Sequence, residues 1–371
     1  MKKIIVMPRR YVQGPGVLSE LGAIVAPVGK RAIVFWDSFI EGAMGSKVLG
    51  SLAESGIESQ AVLFGGEATQ AQRKSLVQAA RDFNAAMIIA LGGGKTLDTA
   101  KGAAADCKIA MICCPTIAST DSPTSGCAVW YKENGDYEGW EMMTYNPDFV
   151  IVDSEVIVNA PIKTFIAGMG DALSTWIEAD VVRKSRSKNF VGGYNTEAAL
   201  VWAQLCFDIL MEFGRDARRD VERHLITPAV EKVIEADVLL SGIGFESVGL
   251  ACSHDIGNFL SNYHECHAAG LMHGHKVAFG VLTQLCLDEN VDPEFRESVL
   301  DFIVDIGLPC TFEQLGFKDL SEAQLREKLT PMAEFCAAEG SLSSSHSFPL
   351  TPKAIIDAMF AADAMGRERI G

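Results

Sequence analysis

The chain has 371 residues, of which 48% are hydrophobic and 22% charged, a balance typical of globular proteins and unlike that of disordered or fibrous chains. Its 32 basic and 48 acidic side chains give a formal net charge of −16, and a surface of that sign repels nucleic-acid phosphates and anionic lipids. We therefore expect no nucleic-acid and no membrane partner. At about 150 residues per domain, the length predicts two or three domains.

The cysteines and the N-terminal stretch indicate the compartment. Ten cysteines occur without a CxxC pair or a regular spacing, which favours reduced thiols over a disulfide framework. The stretch MKKIIVMPRR has only a short apolar run before Pro8, too short for a signal peptide, and no other stretch approaches a membrane span. We therefore expect a cytoplasmic protein.

Short apolar runs alternate with amphipathic segments over the first 155 residues. The candidate strands are residues 31–36, 60–64, 86–91, 109–114 and 149–152. Most are apolar throughout, as in parallel strands that are covered on both faces. Helical segments such as 70–83 and 96–106 lie between them, at spacings typical of βαβ units. The pattern predicts an α/β domain with a doubly wound, mostly parallel sheet.

The pattern changes after Pro161, where strand-like runs give way to apolar residues at helical spacing. One such face is formed by Leu173, Trp176, Ile177 and Val181. The second half is therefore predicted to be all helical, with a domain boundary between residues 1–160 and 161–371. A site is expected in the cleft between two such domains.

A glycine-rich turn follows the third candidate strand, in AMIIALGGGKTLDTAK at residues 86–101. Glycines here let a ligand approach the backbone, and a helix that begins near Lys95 or Thr96 offers its N–H groups to a phosphate. Ile89 breaks the Walker pattern and Leu97 breaks GxGxxG. A tight turn without a ligand remains the alternative.

Two further strand ends carry polar residues. Asp37 follows the strand 31–36, where a carboxylate can accept hydrogen bonds from an adenosine ribose and repel a 2′-phosphate, which favours NAD over NADP. It can equally cap the next helix. The segment CCPTIASTDSPTSG, residues 113–126, is rich in small hydroxyl side chains and contains Asp121, a composition that suits a polar ligand but is also common in turns.

The run Gly168-Met169-Gly170 is predicted to be a turn, with Asp171 at the start of the helix that follows. At that position Asp171 is either an N-cap or a carboxylate held where histidines from elsewhere can meet it.

The histidines form a second candidate cluster. They are His224, His254, His264, His267, His273, His275 and His346. On a helix His273 and His275 would face different directions, whereas His264 and His267 share a face with Cys266 nearby. Imidazoles are common metal ligands, but clustered histidines are as often ordinary surface or core residues, and the residues alone leave both open.

Six motifs occur in a fixed order along the chain. They are GGGKTLDTAK (92–101), PTIASTD (115–121), NPDFVIVD (146–153), GMGDAL (168–173), SGIGFES (241–247) and HGHKVAFGVLTQL (273–285). Together they resemble glycerol dehydrogenase, the zinc-dependent branch of the iron-containing alcohol dehydrogenase superfamily, over nearly the whole chain. The resemblance implies a dehydroquinate synthase-like architecture and a homo-oligomer, commonly a ring-shaped octamer.

The resemblance also implies roles for particular residues. The metal ligands would be Asp171, His254 and His273, so that His264, His267 and His346 become structural. NAD would contact Asp37 at the adenosine ribose, Gly93, Gly94 and Lys95 near the pyrophosphate, and Thr116, Ser119, Ser125, Cys127 and Tyr131 beyond them. Asp121 would hydrogen-bond a substrate hydroxyl. Iron-dependent relatives carry a further histidine where this chain has Thr175, and three ligands with an open position fit catalytic Zn²⁺.

The implied reaction is the NAD-dependent oxidation of a small polyol, glycerol to dihydroxyacetone, and its reverse. Near the expected ligands this chain has Gly257, Phe259 and His275 where the family has His, Gly and Glu, so other small diols, alcohols, amino alcohols and hydroxyketones are alternative substrates. A dehydroquinate synthase-like lyase or a glycerol-1-phosphate dehydrogenase would need clustered Lys and Arg for its anionic substrate, and few lie near the expected ligands. A non-catalytic NAD- or metal-binding protein is a further alternative, disfavoured because all three ligands are present.

Overall fold

The computed structural model describes residues 2–371 and shows a parallel sheet followed by a helical region. The strands are β1 (Arg10–Gly14), β2 (Arg31–Trp36), β3 (Glu58–Leu63), β4 (Met87–Gly92), β5 (Ala110–Pro115), β6 (Cys127–Tyr131), β7 (Tyr137–Met142) and β8 (Phe149–Asp153). The helices are α1 (Leu21–Val25), α2 (Ser38–Glu54), α3 (Gln70–Asp82), α4 (Gly94–Cys107), α5 (Ser154–Val158), α6 (Ile162–Ser185), α7 (Glu197–Val221), α8 (Pro228–Glu235), α9 (Ser241–Val248), α10 (Cys252–Leu260), α11 (His264–Ala268), α12 (His273–Leu287), α13 (Pro293–Ile306), α14 (Glu322–Ala337) and α15 (Pro352–Ile370). A π-helical turn (Ala236–Leu240) joins α8 to α9, and two 3-10 turns cover Val17–Glu20 and Leu342–Ser345.

Six strands form one sheet in the order β1-β8-β5-β4-β2-β3, and every pair in it is parallel. Both faces are covered, because Ile33 and Phe35 of β2 pack into one apolar core while Val34 and Trp36 pack into another. This burial on both faces explains why the strands are apolar throughout. The predicted fold class, a doubly wound parallel sheet plus a helical C-terminal region, is confirmed.

The five predicted strands all form, with ends that differ by at most two residues. The sequence patterns missed β1 and the antiparallel hairpin of β6 and β7. These strands are only partly buried and mix polar with apolar residues, so they lack the continuous apolar signal of the central strands.

The helical region begins after β8, and within residues 2–371 no strand follows Asp153 apart from an isolated bridge between Lys3 and Tyr194. The predicted boundary at residue 160 falls between α5 and α6. One apolar core runs from sheet residues such as Ile88 into helical residues such as Phe279, so the two parts pack as neighbours. The division into two domains stays a prediction.

The prediction of a turn at Gly168-Met169-Gly170 is wrong, because these residues lie inside α6 and Asp171 does not begin a helix. A Cβ at Gly168 would lie 2.2 Å from the carbonyl oxygen of Ala118, and one at Gly170 would lie 2.5 Å from that of Gly274. These glycines therefore allow close packing of α6 rather than a change of chain direction.

All ten cysteines are free thiols, and seven of them are buried. No helix within residues 2–371 is both long and apolar enough to cross a membrane.

Candidate active site

The order of the sheet places a crevice beside the glycine-rich turn. β2 and β4 are neighbours in the sheet. From β2 the chain continues outward to β3 at one edge, whereas from β4 it continues to β5 on the opposite side. In open parallel sheets, ligands bind at the carboxyl ends of the strands where this direction reverses. Asp37 follows β2 and Gly93 follows β4, so the two residues flank that point.

Asp37 is the N-cap of α2, and its Oδ1 accepts a hydrogen bond from the backbone N–H of Ile40 at 2.8 Å. The capping interpretation of Asp37 is therefore confirmed, while its role toward a ribose stays a prediction.

The glycine-rich turn joins β4 directly to α4, which begins at Gly94, one or two residues earlier than the predicted start at Lys95 or Thr96. Gly93 is the N-cap and provides no side chain, so the first N–H groups of α4 have no side-chain cap. The N–H of Thr116 donates to the carbonyl of Gly92 at 3.1 Å, which brings the end of β5 to the same turn. This arrangement suits a bound phosphate.

Lys95 and Tyr131 meet at the rim of the crevice. The exposed Lys95 ammonium lies 2.7 Å from Glu67 Oε2 and 4.5 Å from the centre of the Tyr131 ring. Ser119 and Ser125 are buried, and Cys127 is half-buried at the start of β6. The structure thus gathers these predicted cofactor residues at one end of the sheet, but their contacts with NAD stay predictions.

Asp171, His254 and His273 come together from three different helices, α6, α10 and α12. Asp171 Oδ1 lies 3.5 Å from His254 Nε2 and 3.4 Å from His273 Nε2, and one potential ligand atom from each residue lies within 4.8 Å of the other two. Asp171 Oδ1 is buried and has no hydrogen-bond partner among residues 2–371. A buried carboxylate oxygen without a partner, aimed between two imidazoles, fits a divalent cation.

The pKa values of the triad residues agree with the binding of a divalent cation. Burial alone would raise the pKa of Asp171, but His273, His254 and a backbone N–H of Asp121 lower it below the usual value. Burial lowers the pKa of His273 to about 4, with Asp171 opposing and His254 reinforcing the shift. Burial would also lower the pKa of His254, but Glu178 and Asp171 raise it well above the usual value. His273 is therefore neutral near pH 7, whereas a cation must displace a proton from His254.

Glu178, which the sequence motifs did not single out, holds the ring of His254. Its Oε2 lies 2.5 Å from His254 Nδ1, and its Oε1 accepts hydrogen bonds from the N–H groups of Ala251 and His254, both at 2.9 Å. The side chain is fully buried. Glu178 follows Asp171 by two helical turns on α6, and that spacing on one face was the signal available in the sequence.

Asp121 lies close to Asp171 and His254 of the triad. Its Oδ2 accepts a hydrogen bond from Ser241 Oγ at 3.1 Å, and Ser241 Oγ lies 3.0 Å from Thr175 Oγ1. Burial and the charge of Asp171 raise the pKa of Asp121 to about 7. Near neutral pH this carboxyl can therefore accept or donate a proton.

Asp237 is a second acid near the triad that the sequence motifs did not indicate. It is buried in the π-helical turn, and neither carboxyl oxygen has a hydrogen-bond partner among residues 2–371. Burial and the charge of Asp171 raise the pKa of Asp237 well above the usual value. This environment therefore favours the neutral form of Asp237 over a second negative charge beside Asp171.

The remaining predicted histidines lie apart from the triad. His264 and His267 are exposed on α11, and His346 is buried against Phe348 with ring centroids 5.1 Å apart. None of the three belongs to the triad, and the structural role that the resemblance implied for them stays a prediction.

Comparison with known proteins decides the family. Residues 8–154 match the family model described as "Iron-containing alcohol dehydrogenase". Over 368 residues the chain is 39% identical to a glycerol dehydrogenase of Citrobacter freundii, covering 99% of both chains. The chain belongs to the iron-containing alcohol dehydrogenase family.

Other members of this family are similarly related. A glycolaldehyde reductase of Halobacterium salinarum is 38% identical over 99% of both chains. The crystal structure of a probable glycerol dehydrogenase from Sinorhizobium meliloti 1021 superposes with a TM-score of 0.91 at 38% identity, covering 99% of this chain and 100% of that one. The resemblance to glycerol dehydrogenases is confirmed, and this alcohol dehydrogenase is an oxidoreductase.

The departures from the family pattern near the ligands have local structural reasons in this iron-containing alcohol dehydrogenase. A Cβ at Gly257 would lie 2.6 Å from a methyl group of Val277, so α10 and α12 cross closely at this point. The ring of Phe259 packs against Tyr263, with centroids 5.9 Å apart. His275 Nδ1 accepts a hydrogen bond from the N–H of Met272 and caps α12. None of the three joins the triad.

Proposed function

We propose that this alcohol dehydrogenase oxidises glycerol, or a closely related small vicinal diol, with NAD to give the hydroxyketone, and catalyses the reverse reduction. For glycerol the product would be dihydroxyacetone. The observation that carries the proposal is the triad, in which a buried and unpartnered Asp171 oxygen faces two imidazole nitrogens. Full-length relatives named glycerol dehydrogenase support the choice of substrate.

Zn²⁺ is the metal that we propose for this site, with Asp171, His254 and His273 as its ligands. Two imidazoles and one carboxylate with an open position are typical of catalytic zinc. Thr175, one helical turn after Asp171, hydrogen-bonds Ser241 and offers no fourth imidazole. When bound, the zinc would act as a Lewis acid toward a substrate oxygen.

NAD would lie in the crevice between β2 and β4. We propose that the free N–H groups at the start of α4 bind its pyrophosphate, beside Gly93, Gly94 and Lys95. Asp37 would face the adenosine ribose, and the nicotinamide would accept the hydride. The other proposed contacts are Thr116, Ser119, Ser125, Cys127 and Tyr131.

The side chains around the triad provide the remaining functions. Asp121, with a pKa of about 7, can accept a hydrogen bond from a substrate hydroxyl, which favours diols over simple alcohols. Glu178 orients the His254 ring through Nδ1 and leaves Nε2 directed at Asp171. The burial of Asp171 and His254 limits access of bulk water.

A hydroxyaldehyde is the second candidate substrate class, because the Halobacterium salinarum relative of nearly equal identity is named glycolaldehyde reductase. Other small alcohols, amino alcohols and hydroxyketones share the same chemistry. We also propose that the protein acts in the cytoplasm as a homo-oligomer, an octamer on the family resemblance, which sedimentation would test.

The test is an assay of the zinc-loaded protein for NADH formation with glycerol, 1,2-propanediol and ethanol, and for NADH consumption with dihydroxyacetone and glycolaldehyde. We expect turnover with the diols, much less with ethanol, and loss with a chelator that zinc restores. No turnover with any of these substrates, or activity that the chelator leaves intact, would contradict the proposal.

His273→Ala should reduce activity by more than about 100-fold, because it removes a metal ligand. The matched control is His264→Ala, which changes an exposed histidine outside the triad and should leave activity unchanged. Equal losses in the two variants would show that the wrong histidine has been chosen.

A further inference from the structure

A buried ammonium on α4 contacts the polar segment that follows β5. Lys101 is 3% exposed, and its Nζ lies 2.8 Å from Asp98 Oδ1. The same Nζ donates to the backbone carbonyls of Ser122 at 3.0 Å and Ser125 at 3.3 Å, and to that of Cys127. Residues 119–129 are here called the 119–129 segment. This one side chain thus donates hydrogen bonds to three backbone carbonyls of the segment.

Asp98, the acidic partner of Lys101, also binds the 119–129 segment. Its Oδ1 accepts a hydrogen bond from Ser122 Oγ at 2.7 Å, and its Oδ2 accepts one from the N–H of Val129 at 3.0 Å. Burial opposes the charge of Lys101, but Asp98 raises the pKa of Lys101 above the usual value, so the ammonium is charged near neutral pH.

Stability alone is a weak reason for such a pair, because a buried ion pair is often no more stabilising than apolar side chains of similar volume. An apolar residue at position 101, however, would leave the three carbonyls of the segment without this donor. Lys101 therefore contributes what an apolar side chain cannot, a defined path for the backbone from Ser122 to Cys127.

The helical region holds the other side of the segment. The buried Glu246 accepts a hydrogen bond from the N–H of Gly126 at 3.1 Å, and Thr124 Oγ1 donates to the carbonyl of Val238 at 2.8 Å. The segment is thus fixed between α4 on one side and α9 with its preceding π-helical turn on the other. It carries Asp121, Ser125 and Cys127, to which the proposed function gives substrate and cofactor contacts.

We propose that Lys101 is a positioning residue that fixes the 119–129 segment so that Asp121 faces the substrate and Ser125 and Cys127 face NAD. The identity of these ligands rests on the proposed function, whereas the ordering of the segment by Lys101 does not. The test therefore needs one measurement without turnover and one with it.

The first variant is Lys101→Met, which replaces the lysine with an unbranched side chain of similar length and removes the ammonium. Because it leaves Asp98 without its partner, a second variant, Asp98→Asn with Lys101→Met, removes both charges and keeps one acceptor oxygen, for either Ser122 Oγ or the N–H of Val129. Ser122→Ala removes one hydroxyl of the network and leaves both charges in place. The control is Lys184→Met, which removes an exposed lysine paired with Asp180 on α6.

Hydrogen–deuterium exchange of the full-length proteins is the measurement without turnover. We expect amides of the 119–129 segment to exchange at least about tenfold faster in both Lys101 variants, and less so in Ser122→Ala, while α7 exchanges as in the wild type. Unchanged exchange in the segment, or an equal increase along the whole chain, would overturn the proposal. Should both Lys101 variants fail to fold, Ser122→Ala decides by the same criterion.

The measurement with turnover compares kcat and KM, together with NAD affinity from binding titrations. A positioning role predicts that KM for NAD and for the diol each rise about tenfold or more in the double variant, with a smaller fall in kcat and unchanged zinc content. Wild-type KM values in a variant with a loosened segment would overturn it. If the wild type binds no NAD and oxidises no diol, the proposed function fails, while the exchange data still decide the role of Lys101.

Discussion

At the scale of single residues, the carboxylate of Glu178 controls how His254 presents its ring. The bond between Glu178 Oε2 and His254 Nδ1 directs Nε2 toward Asp171. A carboxylate behind a ligating imidazole fixes the ring and strengthens it as a ligand. The same carboxylate raises the pKa of His254, so the proton and a metal ion compete for this side chain.

This competition predicts a pH dependence of zinc affinity. The raised pKa favours the protonated form of His254 in the metal-free protein, so that zinc binding releases a proton. As long as the pH is below that pKa, zinc affinity should rise about tenfold for each unit by which the pH increases. Glu178→Gln removes the charge that raises this pKa and keeps one acceptor oxygen for Nδ1, while its amide NH2 replaces the oxygen that accepts from the N–H groups of Ala251 and His254. We expect an affinity about 10–100-fold lower, with a weaker dependence on pH.

Zinc titration against a competing chelator at several pH values between about 6 and about 8 measures both effects. Glu265→Gln is the matched control, because it removes the charge of a carboxylate that pairs with Lys328 outside the triad. A wild-type pH slope in Glu178→Gln would contradict this account of His254.

At the scale of elements, a close crossing of two helices at glycines sets the distance between two of the proposed metal ligands. Gly170 on α6 directly precedes Asp171, and Gly274 on α12 directly follows His273. A Cβ at Gly274 would lie 1.8 Å from the carbonyl oxygen of Ala167 and 2.8 Å from the backbone N of Asp171. The two helices can therefore approach closely only because these positions have no side chain.

Gly274→Ala should separate α12 from α6 and move His273 away from Asp171. Alanine favours a helix over glycine by about 1 kcal/mol, but a clash with rigid backbone at this site costs about 1–3 kcal/mol or more, so we expect net destabilisation and weaker zinc binding. Denaturant unfolding and zinc titration measure the two effects. Gly50→Ala on α2 is the control, since a Cβ there has nothing within 4 Å, and it should be neutral or stabilising. Wild-type zinc affinity in Gly274→Ala would show that the crossing does not set the ligand distance.

At the scale of the whole molecule, the triad connects three helices that share an apolar core with the sheet. A ligand that binds only the folded chain stabilises it by mass action, by about 2.7 kcal/mol at 100 times its Kd. Zinc should therefore raise the melting temperature of the protein, although it contacts only a few side chains.

Removal of zinc with a chelator should lower the melting temperature by several degrees, and re-addition should restore it. Thermal unfolding monitored by circular dichroism provides the measurement. His273→Ala is the control, because without a full ligand set its melting temperature should respond little to zinc. A wild-type melting temperature that is indifferent to the chelator would contradict a metal bound at the triad.

The sequence by itself determined the parallel sheet and the residue types of the triad. Strands buried on both faces are apolar throughout, so that β2, β4 and β5 were visible as short runs. The resemblance that the motifs carry also implied Asp171, His254 and His273, which the fold brings together from separate helices.

Only the tertiary structure decided the surroundings of these residues. The glycines before Asp171 suggest a turn when only the sequence is considered. The structure shows that they lie inside a helix, where they allow close contact with the backbone of Ala118 and Gly274. Glu178 and Lys101 look like ordinary charged helix residues in the sequence, and their importance lies in hydrogen bonds to His254 and to the 119–129 segment. Local periodicity reports which face of an element is buried, whereas the partner that meets that face is set by packing between residues far apart in the chain.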